Sequence, residues 1–168
     1  HLEAINHKKA LEEIRDLAKK RHQFLEERDI LNIHALILKG IDETWAGRYR
    51  QVPVRISGSD VVLPNYMKVP SLMEDFMRWL QSIQGEHPVI IAADAHFKFV
   101  SIHPFVDGNG RTTRLLMNLI LLINGYPMGV IRNEERIQYL ASFDKARNSK
   151  DMQPFYNIIE TSVDRSLD

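Results

Sequence analysis

The residues that most constrain the fold are Leu115 to Ile123, apolar at every position except Asn118. A helix that is hydrophobic all round belongs in the middle of a larger structure. The run is too short to span a bilayer, which takes about 20 residues. Other elements must therefore wrap around it, and 168 residues are enough to supply them within one domain. Arg111 to Asn124 is expected to be this central helix, ended by Gly125 and Pro127.

The wrapping elements read as helices. Ala4 to Arg28 carries Ile5, Ala10, Leu11, Ile14, Leu17, Ala18, Phe24 and Leu25 at helical spacing. Asp29 can cap a second helix from about Ile30 to Lys39, which Gly40 ends. Val69 to Ile83 buries Leu72, Met73, Phe76, Trp79 and Leu80, and Pro88 opens a helix to about Ile102. Glu134 to Arg147 and Pro154 to Val163 are two further amphipathic stretches. Only Gly47 to Pro70 changes period. There Val52, Val54 and Ile56 alternate with polar neighbours and Pro53, Ser57-Gly58-Ser59-Asp60 is turn chemistry, and Val61-Val62-Leu63 can return. The expected architecture is one all-α domain over residues 1–168 with one small β-hairpin at about 50–64.

Composition excludes several roles. Basic and acidic side chains number 22 each, so formal net charge is zero. Non-specific nucleic-acid binding needs a basic surface, so no nucleic-acid partner is expected. No cysteine is present, which removes disulfides, thiolate metal sites and cysteine nucleophiles. Absence of cysteine suits cytosol and exterior alike. With no signal peptide and no membrane-spanning run, the expectation is a cytoplasmic location without a membrane partner. The abrupt start inside a helical pattern points to a fragment of a longer chain.

The chemistry gathers in His103-Pro104-Phe105-Val106-Asp107-Gly108-Asn109-Gly110-Arg111-Thr112-Thr113-Arg114, directly before the central helix. Gly108, Asn109 and Gly110 allow backbone N–H groups to converge on a phosphate at a helix N-terminus. An ordinary tight turn would explain a lone Gly-Asn-Gly. Two arginines weigh against that. Arg111 and Arg114 share one side of the first helical turn, where cations oppose the helix dipole and an anionic ligand would explain them. Solvated surface charges are the plainer alternative. Asp107 would repel a phosphate unless a cation bridged them, as magnesium does, although Asp also serves as an N-cap. His103 can take a proton near pH 7 from a hydroxyl attacking that phosphate. The other histidines discussed, His7, His22, His34, His87 and His96, are read as satisfied structural side chains. Phe105 is read as an anchor in the core.

These residues resemble the motif of the Fic family (filamentation induced by cAMP), His-x-Phe-x-Asp/Glu-Gly-Asn-Gly-Arg-x-x-Arg, at all eight specified positions. Ala46-Gly47-Arg48-Tyr49-Arg50 before the hairpin resembles the family's flap, and Leu72 to Leu80 the helix after it. Arg136 to Tyr139 and Pro154-Phe155 resemble its C-terminal part. The resemblance implies transfer of AMP from ATP to a Ser, Thr or Tyr hydroxyl of a target protein, releasing pyrophosphate. His103 would be the base and Asp107 the magnesium ligand. Gly108, Asn109 and Gly110 would cradle the phosphates, with Asn109 near the α-phosphate, and Arg111 and Arg114 would contact the terminal ones. Val52, Val54 and Ile56 would register the target by strand addition. Ser57 and Gly58 at the flap tip, with Tyr139 and Asn148 from a later helix, would lie near the nucleotide.

The Gly-Asn-Gly form argues against the related Doc subgroup, whose altered loop goes with phosphate transfer. The family's inhibitory Ser/Thr-x-x-x-Glu-Gly/Asn helix is not found, while Glu3 to Leu11 resembles the segment that follows it. An inhibitory helix cut from this chain, or a separate antitoxin chain, is therefore a further expected partner. Removal of AMP, transfer from another nucleotide such as UTP or GTP, and a non-catalytic nucleotide- and peptide-binding module are the competing readings. A pure binder has no need of His103.

Overall fold

The computed structural model describes residues 1–20 and 25–167. Phe24, expected on an apolar helix face, and His22 lie outside them. The described residues form seven α-helices: α1 (Leu2–Lys20), α2 (Glu27–Leu38), α3 (Val69–Ser82), α4 (Pro88–Ile102), α5 (Asn109–Ile123), α6 (Arg136–Ser149) and α7 (Gln153–Leu167). Short 3-10 turns at Tyr66–Lys68 and Asn133–Glu135 lead into α3 and α6.

Helix α5 is the centre, as its composition requires. Leu115, Leu116, Met117, Leu119, Ile120 and Leu121 are all buried. Helices α4, α1 and α2 pack around it, α3 lies on α4, and α7 bridges α4 and α6. The polar interruption at Asn118 is satisfied, because its Oδ1 accepts the Gly129 N–H at 2.9 Å. That contact ties the segment after α5 onto the core. Gly129 is needed there, since an added Cβ would lie 2.5 Å from Ser162 Oγ. Among the described residues no helix is long and apolar enough to cross a membrane.

Three expectations need correction. The first helix does not run on to Arg28: Leu25 and Glu26 are not helical, and α2 begins at Glu27. Asp29 is not the N-cap of α2. It stands three residues inside, and its carboxylate accepts the Glu26 N–H at 2.9 Å in a capping box. The third correction concerns the hairpin. Among the described residues no strand forms between Arg50 and Asn65. The turn itself is present: Gly58 has φ +73° and the Ser59 N–H reaches the Ile56 carbonyl at 3.2 Å. The ladder on either side is not. Pro53 offers no N–H to a partner strand. A two-stranded ribbon is marginal without a third strand or a covering helix, and Val62 stands 92% exposed. The segment is an extended, two-limbed loop.

Candidate active site

Helix α4 ends where the sequence compels it to. The residue before a proline is sterically disfavoured from continuing a helix, and His103 precedes Pro104. His103 turns into the left-handed region, φ 51° and ψ 62°, while its N–H still bonds the Phe99 carbonyl at 3.0 Å. A non-glycine residue in this region costs about 1–2 kcal/mol, so its surroundings must hold it. Burial and the nearby Arg50 guanidinium lower the His103 imidazole pKa to about 4. The ring is therefore neutral at pH 7 and carries a free lone pair.

The chain then folds back through Phe105, which is fully buried. Its ring stacks on His34, with centroids 3.6 Å apart and planes 6° from parallel. The Asn109 side chain closes the loop: Oδ1 accepts the Phe105 N–H at 2.9 Å and Nδ2 donates to the Phe105 carbonyl at 2.8 Å. The Asn109 carboxamide thus braces the loop. Any approach of this residue to a phosphate falls to its backbone N–H.

His34 is a second brace. Its Nδ1 accepts the Gly47 N–H at 3.0 Å, so Nε2 carries the proton and donates to the Asp107 carbonyl at 2.8 Å. Both nitrogens are engaged in the neutral form, and burial, the largest cause, lowers its pKa. His34 touches Gly108 closely enough that an added Cβ would meet Nε2 at 3.3 Å. Gly108 is also left-handed, φ +83°, so glycine is required twice over.

Gly108 is the N-cap of α5, which starts two residues earlier than its apolar pattern implied. The first intrahelical bond is Thr112 N–H to the Gly108 carbonyl at 2.9 Å. The N–H groups of Asn109, Gly110 and Arg111 precede it and have no intrahelical partner. Three donors at the positive end of a buried helix form a cradle for an anion. Asp107 flanks it. One carboxylate oxygen accepts the Gly108 N–H at 2.8 Å, and the other lies 3.6 Å from the Arg111 guanidinium. The Asp107 side chain is 68% exposed and accessible. Among the described residues no three His, Asp or Glu side chains cluster into a metal cage. A single exposed carboxylate beside an anion cradle fits magnesium, which keeps several waters and shares substrate phosphates.

Arg114 folds back over Gly110, where an added Cβ would lie 3.2 Å from Nη1. It also influences Tyr139, which α6 carries into the core. The Tyr139 hydroxyl bonds His96 Nε2 at 2.5 Å. Burial raises the Tyr139 pKa to about 12 and lowers that of His96 to about 3, the latter with help from Arg114. Tyr139 therefore joins the motif from behind Arg114. His7 on α1 stands near both arginines, which, after burial, depress its pKa.

The remaining expected residues lie on the extended loop and on α6. Asn148 is exposed near the end of α6, about 13 Å along the helix from Tyr139. Ser57 and Gly58 are exposed at the loop tip, and a Cβ added to Gly58 meets nothing within 4 Å. Val52 is 41% exposed, and Val54 and Ile56 are half-buried. His87 caps α4 through Nδ1, accepting the Val89 N–H at 3.1 Å.

Residues 24–121, more than half the chain, match the Fic/DOC family profile. The chain belongs to the Fic/DOC family. It is 42% identical over 143 residues to the protein named protein adenylyltransferase Fic of Drosophila grimshawi, a match covering 84% of this chain and 29% of that protein. The protein of the same name from Drosophila melanogaster is 41% identical, covering 84% and 28%. The chain thus spans less than a third of the length of these curated relatives. A Fic domain containing signaling protein from Bacteroides thetaiotaomicron superposes with TM-score 0.87 at 30% identity, over 98% of this chain and 69% of that one. Fic-1 of C. elegans, residues 134–508, gives 0.86 at 36% identity, over 99% and 49%. This membership fits the all-helical architecture. The family profile takes in the loop from His103 to Arg114, while Tyr139 and Asn148 lie beyond it.

His34 is the satisfied structural histidine the sequence reading expected, and its partners are the motif loop and Gly47, while Arg50 was not read as a site residue. His34 and Arg50 both grip the motif loop through its backbone. Neither carries a local signal, since their partners lie 73 and 53 residues away.

Proposed function

We propose that this domain is a protein adenylyltransferase, moving AMP from ATP to a Ser, Thr or Tyr hydroxyl of a target protein. The observation that carries the reading is the placement of His103 at the end of α4, half-buried beside Arg50, four residues from Asp107 and six before α5, whose first N–H groups have no intrahelical partner. The names of the Drosophila relatives support the same activity. In the proposed step the target oxygen attacks the α-phosphorus of ATP. Its proton passes to the His103 ring, the bond to the β-phosphate oxygen breaks, and pyrophosphate leaves.

The backbone N–H groups of Asn109, Gly110 and Arg111 hold phosphate oxygens, and Arg111 and Arg114 add charge toward the terminal phosphates. Asp107 would hold magnesium, which supplies positive charge against the developing negative charge of the transition state. Tyr139 contributes from behind Arg114. Ser57 and Gly58 at the tip, and Asn148 on α6, are the remaining proposed nucleotide contacts. Val52, Val54 and Ile56 present an extended backbone to which a target segment can add as a strand. An inhibitory helix or antitoxin chain acting at Arg114 is the further partner that goes with this reading.

The test is incubation with magnesium and either α-labelled or γ-labelled ATP, with His103→Ala alongside. Labelling of protein from the α-label alone is expected. General-base catalysis contributes about 10²–10⁴-fold, so transfer should fall by that factor in His103→Ala while ATP affinity stays. Label carried over from the γ-position would instead show phosphate transfer and sink the proposal.

A further inference from the structure

Arg50 is 2% exposed, which makes its buried guanidinium the outstanding cation of the interior. Burying a charge carries a large desolvation cost unless every donor is used. Stability alone would place an apolar side chain here. Every partner of the Arg50 side chain among the described residues is a backbone carbonyl. Nε donates to His103 at 2.7 Å, and Nη2 donates to Pro64 at 2.6 Å and to Ile102 at 3.4 Å. The Arg50 N–H adds a fourth tie, to the Pro104 carbonyl at 2.9 Å.

These four carbonyls fall in two places. Ile102, His103 and Pro104 are the end of α4 and the start of the motif loop. Pro64 ends the return limb of the extended loop, whose outgoing limb begins at Arg50 itself. The planar guanidinium can serve acceptors in several directions at once, which an ammonium on a flexible stem cannot do with the same geometry. It also sits where carbonyl dipoles at a helix C-terminus favour a cation.

His103 occupies a backbone conformation that a non-glycine residue avoids. Its N–H is fixed by Phe99, and its carbonyl is fixed by Arg50. With both peptide planes held, the direction of the imidazole from Cα is set. We infer that Arg50 is a positioning residue for His103: it holds the base in its left-handed conformation and ties both roots of the flap to the turn that carries it. The inference rests on the reading of His103 as the base.

A misplacement of about 1 Å can cost on the order of 100-fold in rate. In the domain as it stands, Arg50→Lys keeps the charge but cannot span the carbonyls. It should lower kcat about 10- to 100-fold while the Kd for ATP, measured separately by titration, stays within about twofold. A role in stability alone would lower Tm and leave kcat per folded molecule unchanged. The second measurement needs no activity. Ring resonances of His103 are followed by NMR against pH in wild type, Arg50→Lys and Arg50→Met. The midpoint should rise in Arg50→Met, because a neighbouring positive charge has gone, and the ring shifts should move in both variants. Unchanged His103 shifts and midpoint in a folded Arg50→Met protein would overturn the inference. His103→Ala separates the two claims. If it still transfers AMP, the base reading falls, while the NMR titration still decides whether Arg50 positions the ring.

Discussion

The motif loop and the flap meet at Arg50 but are held in opposite ways. Between His103 and Arg114 each turn of the backbone is fixed by a buried partner: Arg50 at His103, His34 at Asp107, Asn109 across Phe105. Between Arg50 and Asn65 the described hydrogen bonds are the tie at each root and the turn around Gly58. One region has its turns held by buried partners and leaves open the three N–H groups that begin α5, and the other leaves most of its backbone groups available along an extended segment. Chemistry at a phosphorus needs reacting atoms held within a fraction of an ångström. Docking of an extended segment needs open N–H and C=O groups.

That contrast can be broken at several points. The largest effect is expected at Phe105→Ala, which removes the ring stacked on His34. Large-to-small changes at such sites cost about 3–5 kcal/mol, readable as a shift of the urea midpoint. A change under about 1 kcal/mol would mean that the loop is braced by other contacts. Asn109→Ala should follow, at about 1–3 kcal/mol, because it strands a buried N–H and a buried carbonyl at Phe105.

Acid should loosen the motif loop before the flap. His34, His96 and His103 are held neutral by burial, so each has a folded pKa below its unfolded value near 6.5. Their stabilisation is fully present above pH 6.5. It is lost as pH falls from there towards the folded values, about 4 for His103 and about 3 for His96. Urea unfolding at pH 7.5 and pH 5 should differ by about 1 kcal/mol or more in this direction. Equal stability at both would remove the histidines as loop supports. The smallest effect sharpens the contrast from the other side. Val62→Ser, at a side chain almost wholly in solvent, should change stability by under about 0.5 kcal/mol. A larger loss would reveal packing of the flap in solution.

Legibility in the sequence followed the same division. The central helix announced itself through Leu115 to Ile123, α3 was readable from the apolar spacing that begins at Val69, and the start of α4 from Pro88. The motif was legible because its residues are contiguous. Its braces were not. His34 and Arg50 act on backbone atoms far along the chain, and nothing in their neighbours' side chains marks the pairing. The break between α1 and α2 was hidden by apolar spacing that runs on without interruption. The flap misled for a physical reason: alternation and a glycine turn are the signals of a hairpin, but pairing also needs N–H donors and a covering face, which Pro53 and the exposed Val62 do not give.

The left-handed backbone at His103 has a consequence for the history of such a domain. That conformation suits glycine best and asparagine next. Histidine is kept there against the backbone's own preference, for the sake of its ring. Selection for activity and selection for stability therefore pull on this one codon in different directions. A duplicate freed from its chemistry should drift towards Gly or Asn at position 103 and gain stability as it loses function.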